Sequence, residues 1–160
     1  MNCKPGESRE IGGSMFQVIM YTDGSAIPQN EHKPGGYCAI LRYGDHSKTV
    51  SGARLGTTSQ VMELTALVEG LKALKTPCEV LVHTDSQYLV NGLTGRYSLS
   101  RNLEVWKELK SVIADGGHVI YFKKVAAHTG VALNEECDRI AKAEIQHCLE
   151  SWLRARPKEA

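Results

Sequence analysis

The apolar residues of this chain fall into two patterns, short runs rich in Val, Ile and Tyr and longer segments with helical spacing. The short runs predict five strands, over residues 16–22, 36–43, 48–55, 80–83 and 118–125. The helical segments predict four helices, over residues 60–75, 87–93, 103–114 and from 134 onward. Three leading strands followed by helix, strand, two helices, strand and helix favour an α/β fold, a mixed sheet with helices on its faces.

Turn and capping residues set the expected limits of these elements. Prolines and an asparagine predict a loop over residues 24–34, and residues 44–47 predict the turn of an antiparallel hairpin. The segment 57–59 is expected to cap the first helix, and Ser86 the second. Because residues 80–83 are mostly apolar and β-branched, we expect that strand to be buried on both faces.

Length and composition describe one globular domain. The chain has 160 residues, of which 42% are hydrophobic and 23% charged, values typical of a domain with a sizeable core. We expect a mobile leader over residues 1–15, a folded domain over 16–150, and an extension of the last helix or a tail over 151–160. The net charge of +1 excludes a strong basic field, so any contact with nucleic acid must be local.

Cysteine usage and hydropathy indicate the compartment. The five cysteines are odd in number and include no Cys-x-x-Cys, which favours reduced thiols over a disulfide framework or a zinc site. No apolar run approaches the length of a membrane span, and the polar amino terminus argues against a secretory signal. We therefore expect a cytoplasmic protein with no membrane partner. Separately, we expect a monomer.

Two of the predicted strands lead into the same pair of residues, a threonine followed by an aspartate. Residues 80–83 lead to Thr84 and Asp85, and the first strand leads to Asp23. An acid at the carboxyl end of a buried strand lies where open α/β sheets place their ligands. If the two strands pair in parallel, the carboxylates lie side by side and require a cation or a shared proton. Glu63 falls at the border of the apolar stripe of its helix, so its carboxylate can lie against the sheet.

Four motifs in a fixed order carry a resemblance to a known family. They are TDGS at 22–25, TTSQVMEL at 57–64, TDSQY at 84–88, and AHTG at 127–130 followed by NEECD at 134–138. Together they resemble the type 1 ribonuclease H (ribonuclease HI) family from about residue 16 to residue 145. The resemblance implies a ribonuclease H-like five-stranded mixed sheet, with three antiparallel leading strands, two parallel strands and helices on both faces.

The same resemblance implies an activity, the endonucleolytic hydrolysis of the RNA strand of RNA–DNA hybrids by two magnesium ions, for which manganese can substitute. Cleavage would leave a 5′-phosphate and a 3′-hydroxyl. Hard divalent ions prefer oxygen ligands, and two of them can stabilise an in-line displacement at phosphorus. By motif position, the catalytic residues are the metal ligands Asp23, Glu63, Asp85 and Asp138, together with His128, which assists proton transfer or product release.

Substrate contacts follow from the resemblance in the same way. The family distinguishes RNA from DNA through the 2′-hydroxyls that line the wide minor groove of an A-like duplex. By motif position, the residues implied in substrate binding are Gly24, Ser25, Thr58, Ser59, Gln60, Gln87 and Asn134. Ser59 and Gln60 stand where asparagines are common in the family, and Thr58 is implied in holding a DNA phosphate.

Two departures from relatives accompany the match. Several bacterial relatives carry a basic, tryptophan-rich protrusion, but only residues 94–102 lie at that place here. We also expect no amino-terminal hybrid-binding domain, because the leader over residues 1–15 is short. We expect weaker hybrid affinity with a shallow salt dependence. Alanines stand before His128, where many relatives have a lysine and a glycine. The other five histidines are expected at the surface: His32, His46, His83, His118 and His147.

Each carboxylate also has a purely structural explanation. Asp23 and Asp85 can cap turns, Glu63 can be a solvated helix residue, and Asp138 lies in the first turn of a helix, where the dipole favours an acid. Two other functions therefore stay open. One is a catalytically silent hybrid-binding module, which the loss of a carboxylate would favour. The other is a nuclease of the wider superfamily that acts on DNA.

Overall fold

The computed structural model describes residues 15–96, 98–124 and 132–157 of the chain. Within these ranges, five strands form one sheet and four helices pack around it. The strands are β1 (Phe16–Ala26), β2 (Gly35–Tyr43), β3 (His46–Arg54), β4 (Cys78–Thr84) and β5 (Val119–Lys124). The helices are α1 (Ser59–Lys72), α2 (Gln87–Leu93), α3 (Leu103–Gly116) and α4 (Ala132–Ala155).

The sheet is mixed, as predicted, with the strand order β3-β2-β1-β4-β5. β1 and β2 pair antiparallel, and so do β2 and β3, whereas β4 pairs parallel to both β1 and β5. Parallel neighbours need a crossover. The chain returns from β3 through α1 to place β4 beside β1, and the α2–α3 pair connects β4 to β5. The predicted parallel pairing of the two strands that lead to Asp23 and Asp85 is confirmed.

Helices cover both faces of the sheet, as predicted. The main core lies between the sheet and α1 and α3, and its larger buried side chains include Met20, Leu41, Leu67 and Trp106. A smaller cluster on the opposite face joins β2 to α4. There the helix backbone comes very close to the strand, because a Cβ placed on Gly36 would be 2.2 Å from the carbonyl oxygen of Ala141. Only glycine permits this approach.

Several predicted boundaries were wrong, and β1 is the important case. It was expected to end at residue 22 and to be followed by a loop from residue 24, but it continues to Ala26. Pairing with β4 stops at Tyr21, opposite His83, whereas the antiparallel ladder with β2 continues to Ala26, opposite Gly35. At Asp23, β1 is therefore still a strand but is paired with β2 alone and no longer with β4.

The other boundary errors are small. The hairpin turn contains two residues, Gly44 and Asp45, rather than four, because β3 begins at His46 and Gly44 adopts a φ of 53°. α1 ends at Lys72, three residues early, where Ala73 donates to the carbonyl of Gly70 in a tighter turn. α2 has the predicted limits, and the limits of the other elements differ from prediction by at most two residues. The predicted end of β5 at residue 125 lies outside the described ranges.

One face of β4 is less buried than expected. Val80 and Val82 are buried in the main core, but Leu81 and His83 on the other face are only half-buried. α4 crosses β1, β2 and β3 and leaves the β4–β5 half of that face uncovered among the described residues. Tyr121 of β5 is accordingly 52% exposed. The β-branched run indicated a strand correctly but did not reveal how far one helix would reach.

The carboxyl end of α4 packs on the loop between β1 and β2. The Trp152 ring centroid lies 3.9 Å from that of His32, and the guanidinium carbon of Arg156 lies 4.6 Å from the Trp152 centroid. The carbonyl of His32 accepts a hydrogen bond of 2.9 Å from the backbone of Gly56, just before α1. The end of the last helix is thus connected through one loop to the start of the first. None of the described helices combines the length and apolar character needed to cross a membrane.

His118 corrects the expectation that the five remaining histidines lie at the surface, because only 7% of its area is exposed. Its Nδ1 accepts a hydrogen bond of 3.1 Å from the backbone N–H of Cys78, a geometry that requires this nitrogen to be unprotonated. Burial lowers the pKa of His118 below its ordinary value. The neutral ring therefore contributes to stability, and the sequence contained no signal for this contact.

We expect this contribution to be lost on acidification. Below pH about 6.5, His118 becomes protonated in the unfolded chain but stays neutral in the folded protein. The free energy of unfolding therefore falls, by at most roughly 1.4 kcal/mol per pH unit, until the pH reaches the lowered pKa of His118. His118→Gln should lower the free energy of unfolding at pH 7.5, and its difference from wild type should shrink between pH 6.5 and 5. Urea unfolding across this range measures the difference. A difference that stays constant across this pH range would contradict the prediction.

Candidate active site

Asp23 and Asp85 lie next to each other because of the parallel register of β1 and β4. Tyr21 is opposite His83 in that register, and each aspartate follows two residues later. Past this point the strands separate, since Asp23 continues in the ladder with β2 while Asp85 begins the turn into α2. The two carboxylates interact electrostatically, as the sequence predicted from the shared strand ends.

Gly24 brings the helix that carries Glu63 to the same place. A Cβ on Gly24 would be 2.3 Å from the backbone nitrogen of Glu63 and 2.4 Å from the carbonyl carbon of Met62. The strand and the helix backbone therefore touch directly, one residue after Asp23. The resemblance implied a substrate contact for Gly24, but its position also has this steric requirement, which a substrate role does not explain.

Ser86 holds the Glu63 carboxylate. The Ser86 hydroxyl donates a hydrogen bond of 2.6 Å to Glu63 Oε2 and accepts one of 3.1 Å from the backbone N–H of Leu89. The predicted capping of α2 by Ser86 is confirmed. Burial raises the pKa of Glu63, the Ser86 hydroxyl offsets part of that rise, and the charge of Asp85 adds to it. Glu63 and Asp85 are thus within electrostatic reach of each other.

Asp138 reaches the site from the opposite face of the sheet. The preceding residue, Cys137, is fully buried and its thiol donates to the carbonyl of Tyr21 at 3.2 Å, which fixes the first turns of α4 against β1. The Asp138 carboxyl lies within hydrogen-bonding reach of Asp23. Its Oδ2 also accepts a hydrogen bond of 2.9 Å from Lys142, one turn further along the helix.

The four acids form a partly buried cluster of like charge, which we call the carboxylate cluster: Asp23, Glu63, Asp85 and Asp138. Burial and then the neighbouring Asp85 and Asp138 raise the pKa of Asp23 to about 8, although the Gly24 N–H, 2.9 Å from Asp23 Oδ1, works against the rise. A carboxyl that resists ionisation among other carboxylates indicates a site that lacks positive charge.

A divalent cation would supply that charge, and the donors fit one chemically. All four candidate ligands are carboxylates, the oxygen donors that magnesium prefers, and none is a soft or imidazole donor. In the described part of the chain, no three acidic, histidine or cysteine side chains lie close enough to surround an ion as they stand. Among the described residues, Lys142 forms an ion pair with one of the four acids, Asp138.

The implied substrate residues surround this cluster at different depths. Gly24 and Ser25 are half-buried at the end of β1, and Thr58, Ser59 and Gln60 are exposed at the start of α1. Thr58 Oγ1 accepts the capping hydrogen bond of 3.2 Å from Val61, which confirms the predicted cap. The side-chain amide of Gln87 donates to Asn91 at 2.7 Å.

Two implied residues are less available. Asn134 is buried, with 4% of its area exposed, and its side-chain oxygen finds no hydrogen-bond partner among the described residues. The Asn134 side chain could therefore contact a duplex only if the residues next to it in the chain leave room. His128 lies outside the described residues, so its role stays a prediction.

A groove of about 380 Å³ lies along α2 and α3. Its lining includes Gln60, Ser98, Ser100 and Arg101, together with the aromatic side chains Tyr88 and Trp106. The Tyr88 hydroxyl accepts hydrogen bonds from Trp106 Nε1 at 2.9 Å and from Asn102 at 3.0 Å. Since both bonds use the oxygen of Tyr88, its own hydrogen stays available to an acceptor in the groove.

Two functional neighbours were missed from the sequence, Ser86 as a partner of Glu63 and Lys142 as a partner of Asp138. The second was detectable, because an acid and a base four residues apart lie on the same side of a helix. The first was not, since the two residues are 23 positions apart and only the fold brings them together.

The fold and the carboxylate cluster can now be compared with known proteins. Residues 15–146 match the family model described as RNase H. The protein is therefore a nuclease, and its reaction class is hydrolysis. The chain is 42% identical over 140 residues to a ribonuclease H of Helicobacter pylori (strain HPAG1), covering 82% of this chain and 95% of that one. The chain belongs to the type 1 ribonuclease H family.

Solved structures agree on the fold. LC9-RNase H1, described as a type 1 RNase H with the type 2 active-site motif, superposes with a TM-score of 0.73 at 24% identity, over 84% of this chain and 74% of that one. LC11-RNase H1, solved in complex with an RNA/DNA hybrid, gives a TM-score of 0.69 at 20% identity, over 82% of this chain and 99% of that one. The predicted ribonuclease H-like architecture is confirmed.

The contact at Gly24 generates a stability prediction. Gly24→Ala would push a methyl group into the α1 backbone at Met62 and Glu63, where no side-chain rotation can relieve the clash. We expect the free energy of unfolding to fall by about 1–3 kcal/mol or more, as for overpacked cores. Urea denaturation at neutral pH measures the loss.

Gly44→Asn is the matched control for this substitution. Gly44 lies in the hairpin turn, where a Cβ would meet no described atom within 4 Å, and Asn tolerates its positive φ. This change should cost about 0.5 kcal/mol or less. If the two substitutions lowered the free energy of unfolding equally, the close approach of β1 and α1 would not be what makes Gly24 necessary for stability.

Proposed function

We propose that this protein is an endoribonuclease that hydrolyses the RNA strand of RNA–DNA hybrids. The observation that carries the proposal is the carboxylate cluster, four acids from four separate elements that meet at one end of the sheet in a chain of the ribonuclease H family. The structural neighbour solved with an RNA/DNA hybrid supports the choice of substrate. We expect the protein to act as a monomer in the cytoplasm.

In this proposal Asp23, Glu63, Asp85 and Asp138 hold two magnesium ions, or manganese in their place. The chemistry that bound ions supply at such a site is activation of a water molecule and stabilisation of the leaving 3′ oxygen, which gives 5′-phosphate and 3′-hydroxyl products. The raised pKa values of Asp23 and Glu63 support this role, because both acids gain from a nearby cation.

The residues around the cluster would position the hybrid. Gly24 and Ser25 follow Asp23 in β1, and Gln87 begins α2 two residues after Asp85, so we expect these residues to contact the 2′-hydroxyls of a bound RNA strand. Thr58, Ser59 and Gln60 are exposed at the start of α1, and Gln60 also lines the groove along α2 and α3. We expect Ser59 and Gln60 to contact the 2′-hydroxyls as well, and Thr58 to hold a phosphate of the DNA strand. Phosphate contacts of this kind position a duplex without reading its sequence, so we expect little sequence preference.

Two assignments rest on the family motifs alone. His128 would assist proton transfer or product departure, and Asn134 would contact the RNA strand. His128→Ala should slow cleavage of the hybrid by at most about 10²–10⁴-fold, the range of general acid–base assistance. Single-turnover rates measured with saturating enzyme would separate slower chemistry from slower product release.

A substrate panel separates the proposal from its alternatives. Labelled RNA–DNA hybrid, double-stranded RNA and double-stranded DNA are each incubated with magnesium, with manganese or with a chelator. We expect cleavage of the RNA strand of the hybrid alone, and only with a metal. Hybrid binding without cleavage would favour the silent module, although all four carboxylates are present, and cleavage of DNA alone would favour the other nuclease.

Asp85→Asn tests the carboxylate cluster directly. The change keeps the size of the side chain but removes one charge from the centre of the cluster, so we expect nearly all hybrid cleavage to be lost. The metal-free variant should unfold at the same urea concentration as wild type or at a higher one, because the repulsion with Asp23 and Glu63 is relieved.

Asp45→Asn serves as the control for the same chemical change. Asp45 is exposed in the hairpin turn at the opposite end of the sheet from the cluster, so its variant should cleave hybrid at the wild-type rate. Cleavage by Asp85→Asn at a rate comparable to that of Asp45→Asn would remove Asp85 from the proposed site.

A further inference from the structure

We propose that Ser86 is a positioning residue for the metal ligand Glu63, and that the buried hydroxyl turn formed by Thr84 and Ser86 holds Glu63 and Asp85 in the arrangement that binds a divalent ion. This inference rests on the proposed function and adds to it a residue outside the carboxylate cluster. It follows from the hydrogen bonds of the turn between β4 and α2.

The direction of the Ser86 hydroxyl hydrogen is fixed by its other bond. Ser86 Oγ accepts the capping hydrogen bond from Leu89, so its single hydrogen must be donated elsewhere, and Glu63 Oε2 at 2.6 Å is the acceptor. A short bond from a hydroxyl to a carboxylate is of the strong, charge-assisted kind. One oxygen of Glu63 is thereby engaged, and the other is left for a cation.

The serine itself has little freedom. Only 5% of its area is exposed, and its backbone N–H donates a hydrogen bond of 3.0 Å to Thr84 Oγ1, a side chain that is 2% exposed. Asp85 lies between these two anchored residues. The turn therefore fixes the backbone on both sides of Asp85, one proposed metal ligand. Its Ser86 hydroxyl also holds Glu63, a second proposed ligand, which belongs to α1.

Capping alone does not account for this arrangement. A cap requires only that Ser86 accept from the α2 backbone, and an aspartate or a glycine could also begin the helix. The donated bond to Glu63 is specific to a hydroxyl at this place. An aspartate there could accept from Leu89, but it would add a fifth carboxylate next to Glu63 and Asp85.

The test measures manganese binding to the metal-free protein by calorimetry, with no substrate present. Ser86→Ala should weaken manganese binding by about 10–100-fold, the range seen when a group that orients a metal ligand is removed. Ser86→Thr keeps a hydroxyl and should restore most of the affinity. In hybrid cleavage, Ser86→Ala should raise the magnesium concentration for half-maximal rate by a similar factor and leave the rate at saturating magnesium within a few-fold of wild type.

Thr58→Ala is the matched control for the loss of a helix cap. Thr58 caps α1, the helix that carries Glu63, through the same kind of bond to a backbone N–H, but among the described residues it makes no hydrogen bond to a carboxylate. Both alanine variants should lower the midpoint of thermal unfolding, but only Ser86→Ala should weaken manganese binding. If Ser86→Ala does not fold, Ser86→Gly removes the same hydroxyl with a smaller effect on the cap.

The outcomes separate the two levels of the proposal. Wild-type protein that binds no manganese and cleaves no hybrid would overturn the proposed function. Wild-type protein that binds manganese, with equal affinity in the Ser86→Ala or Ser86→Gly variant, would overturn the positioning role alone. Equal loss of affinity in Ser86→Ala and Thr58→Ala would reduce Ser86 to an ordinary cap and overturn the inference as well.

Discussion

The close approach of two helix backbones to two glycines is the constraint on which this structure depends. Gly24 of β1 contacts α1 on one face of the sheet, and Gly36 of β2 contacts α4 on the other. With larger residues at both positions, the helices would be held further from the strands. Glu63 and Asp138, which these helices carry, would then no longer meet Asp23 and Asp85 at one end of the sheet.

Collecting four acids in one place works against the stability of the fold, and the surrounding groups reduce that effect. Backbone and side-chain donors face individual oxygens, namely the Gly24 N–H at Asp23, the Ser86 hydroxyl at Glu63 and the Lys142 ammonium at Asp138. The pKa of Asp23 nevertheless stays raised, so these donors do not balance the charge. The carboxylate cluster therefore lowers the stability of the folded protein, as functional sites often do.

The sequence predicted the features that depend on local pattern and strand pairing. The mixed sheet, the neighbouring positions of Asp23 and Asp85, and the caps at Thr58 and Ser86 all followed from short motifs and periodicity. The continuation of β1 past Asp23 did not, because it depends on which neighbouring strand ends first. The contacts of Glu63 with Ser86 and of His118 with Cys78 join residues that are far apart in the chain. A single sequence does not show which distant residues come together in the fold.

The stack of Trp152 on His32 has a practical meaning for work with this protein. Trp152 lies beyond the segment that matches the family model, near the carboxyl end of α4. Its ring nevertheless packs on His32, in the loop that joins the two strands that carry Gly24 and Gly36. An affinity handle or a fluorophore attached immediately after the tryptophan would compete for the same space. A flexible spacer after the helix would keep the label clear of this junction and leave the packing of both strands undisturbed.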